Sequence, residues 1–312
     1  MRERRAGSRD IGDNRGWGPI ILPACDHDGM TAPETLYRNA QPRPARPRYG
    51  WAWALAASQL LVVGLWWRYG WPVGLPAMVL SHAYFMGQVF LPRSRLYAPV
   101  LWQRPGQGAA VWLTIDDGPS DDTPAMLDLL DAHAAKATFF LVGERAAQRP
   151  ALVREILRRG HDLGNHSHSH PQAWFWALGP KAMAREIGQA QDTLGAIAGQ
   201  APRWYRSVVG MTNPFVAAPL HAHGLRRVAW SARGFDGVDC EPGQTVARIE
   251  RDLRPGAIVL LHEGAAHGHN PEILRGVLAA LEARGLRAEL PEASVSLSSE
   301  ERRRERVDGS RG

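Results

Sequence analysis

Between residues 109 and 290, short apolar runs and helical stretches alternate about seven times, and that alternation leaves the chain few ways to fold. Consecutive strands separated by a helix-length crossover pair in parallel, with the helices packed over the sheet they connect. The spacing predicts strands at 111–115, 137–142, 161–164, 203–206, 227–231, 257–261 and 286–290. It predicts helices at 123–134, 150–159, 180–198, 214–223, 244–253 and 271–284. The expected fold class is α/β, a distorted (β/α)7-type barrel. In such a barrel the loops after the strands carry the chemistry.

The polar residues that interrupt this pattern stand where a barrel would use them. The first apolar run ends on Thr114-Ile115-Asp116-Asp117-Gly118-Pro119, two adjacent acids with Gly and Pro forcing a turn. Gly164-Asn165-His166-Ser167-His168-Ser169-His170-Pro171 follows the third predicted strand, and the run Ile258-Val259-Leu260-Leu261 ends on His262. One acid plus two histidines would make a three-ligand metal site with an open position. The other acid and the last histidine would then handle protons. His166 and His170 are four apart, so one turn can aim both imidazoles at one ion; nitrogen plus carboxylate oxygen suits Zn²⁺ or a similar divalent ion.

Ahead of this region, residues 51–67 read WAWALAASQLLVVGLWW, uncharged and with tryptophans at both ends, just after Arg43, Arg46 and Arg48. A second uncharged run at 71–91 carries Pro72, Pro76 and His82 and is followed by Arg93 and Arg95. We read 51–91 as a hydrophobic helical hairpin, one or two membrane-associated helices in an inner or cytoplasmic membrane. The competing reading is a buried hairpin of a soluble protein. If both runs span, the positive-inside rule leaves the rest of the chain in the cytoplasm; if only the first spans, the rest faces outward. The prolines also allow a re-entrant second segment. His82 is expected at a helix contact rather than as a ligand.

The remaining segments are read from composition. Residues 1–50, rich in Arg, Gly and Pro, are expected as a disordered basic tail, 92–108 as a linker, 109–291 as the catalytic domain and 292–312 as a disordered charged tail. Asp26-His27-Asp28 is expected to be solvated rather than metal-binding, and Met30 offers a second start beside Met1. The net charge of +6 raises nucleic acid or an anionic membrane as partners. Nucleic acid is set aside because the arginines gather in the tails and beside the apolar segment, with no basic and aromatic stripe. Cys25 and Cys240 are too far apart to indicate a disulfide framework or a thiolate zinc site.

TIDDGP, HSHSH and LLH, in that order, resemble the motifs of the polysaccharide deacetylase family, which contains chitooligosaccharide and peptidoglycan deacetylases. The resemblance implies that Asp117, His166 and His170 hold the metal, that Asp116 is the general base and that His262 protonates the leaving amine. His168 is then not expected to bind. Arg206, in Trp204-Tyr205-Arg206-Ser207-Val208-Val209-Gly210, matches the arginine that pairs with the base, although Val208 stands at the family's proline position. The amide of Val209 matches an oxyanion donor. In Trp230-Ser231-Ala232-Arg233-Gly234-Phe235-Asp236, Asp236 is the acid expected to orient and charge His262, and Trp230 to wall the pocket. A bland loop acid is the competing reading there. Arg233 is either a contact for an anionic substrate group or solvated, and His267 and His269 are expected to be exposed.

The function expected is a membrane-anchored, metal-dependent hydrolase removing an N-acyl group, with acetyl the expected one, from an amino sugar of a glycan or lipid-linked saccharide. A deformylase acting on a lipid-linked amino sugar uses the same residues. A carbohydrate-binding protein on a degenerate scaffold is the reading from a different class.

Overall fold

The computed structural model describes residues 50–104 and 108–291. Both expected tails, except Gly50, and the Asp26-His27-Asp28 run lie outside the described residues. Two helices come first, α1 (Gly50–Tyr69) and α2 (Trp71–Val89), joined through Gly70 at φ 75°. Gln59 Nε2 donates to Ser81 Oγ at 3.0 Å and the Ser58 and Ser81 hydroxyls lie 3.0 Å apart, so the pair is an antiparallel hairpin. Pro76 is inside α2 and the helix continues through it. His82 does not meet α1 as expected: it is exposed, and its Nδ1 lies 2.8 Å from Met78 O, one turn back in its own helix. Among the described residues, α1 alone is both long and apolar enough by composition to cross a membrane.

The catalytic region forms a parallel sheet whose strands are β1 (Ala110–Gly118), β2 (Ala137–Leu141), β3 (Asp162–Asn165), β4 (Trp204–Tyr205), β5 (Arg226–Arg227), β6 (Ala232–Arg233), β7 (Ile258–His262) and β8 (Arg287–Ala288). They lie in the order β5-β4-β3-β2-β1-β7-β6, with β8 against the start of β1. Helices α3 (Thr123–Ala132), α4 (Gly143–Gln148), α5 (Pro150–Arg158), α6 (Pro180–Ala198), α7 (Ala217–Ala222), α8 (Pro242–Asp252) and α9 (Asn270–Ala283) connect them.

Two segments differ from the sequence expectation. The single strand expected at 227–231 is two short strands on opposite edges of the sheet. The chain pairs with β4 at Arg227 and switches to β7 at Ala232, so one bent segment reaches both edges. The expected linker is also no free spacer. Tyr97, Ala98, Val100 and Leu101 are buried; Leu101 bridges Val228 and Gln103 bridges Ala257, so residues 97–104 cover the bend.

The two-residue period of β1 sorts its side chains. Val111, Leu113 and Ile115 pack with Phe139, Leu141, Val259 and Leu261 in the core shared with α3, α5, α8 and α9. Trp112, Thr114 and Asp116 point the other way, into the barrel, where Trp112 Nε1 donates to Thr138 Oγ1 at 2.9 Å and Thr114 Oγ1 to Val259 O at 2.6 Å. An acid two residues beyond Thr114 must therefore enter the interior at the strands' C-terminal end.

Candidate active site

Asp116 sits at that end, beside His262 in the β1–β7 register. Asp116 is 2% exposed, and a carboxylate so placed needs a counter-charge. Arg206 supplies it: Nη1 donates to Asp116 Oδ1 at 2.7 Å and to Thr114 Oγ1 at 2.8 Å. The guanidinium lies 4.2 Å from the Phe140 ring centre, and Nη2 donates to Ala229 O at 3.2 Å. Burial lowers the Arg206 pKa, while the Asp116 charge and hydrogen bond oppose that shift.

Continued alternation would send Asp117 back toward the helix layer. Instead its φ of 72° and a register break between Asp116 and Gly118 turn it outward. Asp117 Oδ1 then lies 3.3 Å from His166 Nε2 and 3.0 Å from His170 Nε2. His170 also has a positive φ, 54°. Such backbone is uncommon outside glycine, and among the described residues most non-glycine cases (Asp117, Ser167, His170, Val209 and Phe235) fall in the loops at this end of the sheet.

Asp117, His166 and His170 place one ligand atom each within 4.8 Å of one another. Asp117 Oδ1 is buried without a hydrogen bond, an unmet acceptor of the kind a cation satisfies. His166 Nδ1 is 2.9 Å from Arg206 O, a carbonyl that can only accept, so Nδ1 carries a proton and Nε2 is the ring atom turned toward Asp117. Burial opposes charge on both partners, yet the imidazoles hold the Asp117 carboxyl far below the usual range and the two aspartates raise His166. The cluster thus attracts positive charge, and its donor set fits a divalent ion. His168 turns away, packed on Gly143, where a Cβ would collide with its ring.

On the other side, His262 Nδ1 is 3.0 Å from Asp236 Oδ1. Burial alone would lower the His262 pKa, but the Asp236 charge and hydrogen bond, with smaller contributions from Asp116 and Asp117, raise it to about 9. The imidazole is therefore cationic at neutral pH. His267 is not simply exposed, contrary to expectation: its Nε2 is 2.8 Å from Asp236 O, and Asn270 Nδ2 donates to the same carbonyl at 3.2 Å. His269 is exposed, stacked on His267 at 5.6 Å. Trp230 is buried rather than walling an open pocket, and Arg233 is stacked on Phe235 (3.9 Å) and Trp230 (5.1 Å) rather than solvated. In the 207–211 turn, Gly210 N donates to Ser207 O and Met211 N to Val208 O, which leaves the Val209 N–H outside the turn's own bonds.

Several supports were not read from the sequence. Glu263 is buried, and its Oε2 accepts from Ser120 Oγ at 2.8 Å, from Ser120 N and from Thr123 Oγ1. It clamps the turn after Asp117 to the end of β7. A Cβ at Gly118 would overlap the Glu263 carboxylate, which accounts for the glycine. Asn165 accepts from Ser167 N and donates to Ile187 O and Gln191 Oε1, while Glu186 accepts from His168 N and Ser169 N. These two groups fix the loop that presents both histidines. The one sequence signal for Glu263 is its position next to His262.

Comparison with known proteins accounts for this arrangement. A family model described as polysaccharide deacetylase matches residues 103–228. A chitooligosaccharide deacetylase of Bradyrhizobium sp. (strain ANU 289) is 35% identical over 161 residues, which are 51% of this chain and 73% of that one. The chain belongs to the polysaccharide deacetylase family. By that membership it is a hydrolase of carbon–nitrogen bonds other than peptide bonds. The peptidoglycan-N-acetylglucosamine deacetylase PgdA of Listeria monocytogenes (strain 10403S) is 35% identical over 152 residues, 48% of this chain and 32% of PgdA. The crystal structure of the Bc1960 peptidoglycan N-acetylglucosamine deacetylase superposes with a TM-score of 0.56 at 29% identity, covering 60% of this chain and 88% of that one. Asp236 and His262 lie beyond the matched family model, and their pairing rests on the geometry here.

Proposed function

We propose that the protein is a membrane-anchored deacetylase that removes the N-acetyl group from an N-acetylglucosamine-type amino sugar. The observation that carries this reading is the placement, at the ends of adjacent strands, of a three-donor cluster between two charged pairs, Asp116–Arg206 and His262–Asp236. A binding protein on a degenerate scaffold has no need of all three.

Asp117, His166 and His170 would hold a divalent ion, for which Zn²⁺ fits the donor set. When bound, such an ion supplies Lewis acidity and lowers the pKa of its water. Asp116, next to the cluster, accepts a proton from the attacking water, and Arg206 balances the charge of its carboxylate. His262, already protonated through Asp236, gives its proton to the departing nitrogen, because an unprotonated amine is a poor leaving group. The Val209 N–H is the oxyanion donor in this reading.

In this reading α1 crosses the bilayer and α2, antiparallel to it, returns beside it, so that both ends of the hairpin lie on the side of the catalytic domain. Arg93 and Arg95 follow the hairpin, with Arg43, Arg46 and Arg48 ahead of it, against Arg68 alone near its turn. That bias favours the cytoplasmic side.

The full chain, purified in detergent and loaded with Zn²⁺, should release acetate from N-acetylchitooligosaccharides and lose that activity to a chelator. Equal turnover by Asp117→Ala/His166→Ala would overturn the metal role. Absence of acetate release from every N-acetylated glucosamine substrate tried would overturn the deacetylase reading.

A further inference from the structure

Both hairpin helices carry apolar side chains around their whole circumference. Val62 is buried in α1, while Leu60, Leu61, Val63, Trp67, Val79 and Leu80 are exposed. A helix of 20 residues is about 30 Å long, the thickness of a bilayer's hydrocarbon. Tryptophans stand at both ends: Trp51 and Trp53 at the base, Trp66, Trp67 and Trp71 at the turn. That is the arrangement of residues that settle at the two membrane–water interfaces.

The hairpin leaves the catalytic region from one particular face. Val89 O accepts from Thr212 N at 2.9 Å, and the Phe90 ring lies 6.1 Å from Trp176. Pro92 packs where a Cβ at Gly210 would stand, and Arg93 Nε donates to Trp230 O at 3.0 Å. Asn213 joins two of these loops through Trp176 O and Leu178 O. The partners lie on the segment after β3 that begins with His166 and His170, on the segment after β4 that begins with Arg206, and just ahead of β6. The third, at the N-terminal end of β6, ties the chain after the hairpin to the barrel, and the first two belong to the end of the sheet where the site opens. Those same loops expose Trp174 (68%), Val209 (50%) and Phe215 (39%). Single exposed apolar residues are ordinary, but a group continuous with a membrane-length hairpin is not.

We propose that the mouth of the site lies in the interfacial layer of the bilayer, with Trp174, Val209 and Phe215 dipping into it beside the hairpin, and that the acylated amino sugar is therefore presented on a membrane lipid. The substrate half rests on the deacetylase reading; the surface half does not. The hairpin fixes which way the catalytic region faces, so a soluble polymer would have to thread between the mouth and the membrane. A sugar carried by a lipid arrives there by lateral diffusion.

The test uses the full chain with Cys25→Ser and Cys240→Ser. Nitroxide labels are placed through Trp174→Cys or Phe215→Cys, and the protein is reconstituted into vesicles of phosphatidylethanolamine and phosphatidylglycerol. Labels through Leu60→Cys, in the hairpin, and Arg158→Cys, exposed at the C-terminal end of α5, are the references. Oxygen should collide with the labels at 174 and 215 several-fold more often than a water-soluble nickel complex does, as at 60 and opposite to 158. Nickel accessibility equal to that at 158 overturns the proposal, and so does an immobilised label reached by neither reagent, which would mark contact with a second copy.

In parallel, Trp174→Ser/Phe215→Ser should cut turnover of a vesicle-embedded N-acetylglucosaminyl lipid at least tenfold while leaving acetate release from soluble chitooligosaccharide within twofold. Equal loss on both overturns the membrane role of these side chains. If the wild type turns over neither substrate, the deacetylase reading fails and the substrate half with it, while the collision data still decide the surface.

Discussion

The Asp236 carboxylate is shared between two atoms of His262: Oδ1 lies 3.0 Å from the ring Nδ1, and Oδ2 accepts from the backbone N–H at 2.7 Å. One acid thereby fixes both the position of the imidazole and its charge. Because the folded-state pKa of about 9 is above the ordinary histidine value, the acid form is present through neutral pH and is lost as pH rises through about 9.

Asp236→Asn keeps the shape of that contact and removes the charge. Burial, which opposes the cation, is then less strongly countered, so the pKa falls. The alkaline limb of kcat/KM should move to lower pH by at least one unit, with activity near pH 8 reduced about 10²-fold. An unmoved alkaline limb would mean that His262 is not the acid.

Metal binding is separable from turnover. Equilibrium dialysis should give one Zn²⁺ per wild-type chain and none for His166→Ala/His170→Ala. Free ion at 100 times Kd stabilises by about 2.7 kcal/mol, so Zn²⁺ should raise the wild-type Tm by roughly 5–10 °C and leave the double variant unmoved. An equal rise in both would place the ion elsewhere.

What the sequence made legible follows from periodicity. Alternation along β1 sends Trp112, Thr114 and Asp116 inward, and a strand that ends on an acid announces a site. Asp236 is legible as the first acid after the fifth predicted strand, even with unusual spacing. The bend between Arg227 and Ala232 was not legible: its residues are as strand-like as any, and only pairing with β4 and then β7 divides them. Docking of residues 97–104 depends on a gap that this bend creates. Glu263 carries no local signal of its role, because its partners, Ser120 and Thr123, lie about 140 residues away in sequence.

Arg206 and Asp116 are both fully buried, and each supplies the other's counter-charge at 2.7 Å. Arg206→Met should leave Asp116 as an uncompensated charge and cost about 3–5 kcal/mol in urea unfolding. Asp116→Asn/Arg206→Met should recover most of that loss while remaining inactive. A double variant as unstable as the single one would assign the cost to lost packing on Phe140 instead.

Glu263 makes a prediction about stability against pH. Burial raises its carboxyl from the ordinary value near 4.5 to about 7, with the bonds from Thr123 and Ser120 pulling the other way. Between those two pH values the folded chain holds a proton that the unfolded chain has released, so this group's contribution to stability falls as pH rises through the window. Glu263→Gln keeps an oxygen to accept from Ser120 and Thr123 and has no charge to bury. Its stability relative to wild type should therefore climb between pH 4.5 and 7, by on the order of 3 kcal/mol from 1.36 kcal/mol per pKa unit, and level off above. Carboxylates common to both chains cancel in that difference. Parallel denaturation midpoints across the window would mean that Glu263 is ionised throughout and that the turn after Asp117 is held by a charged clamp.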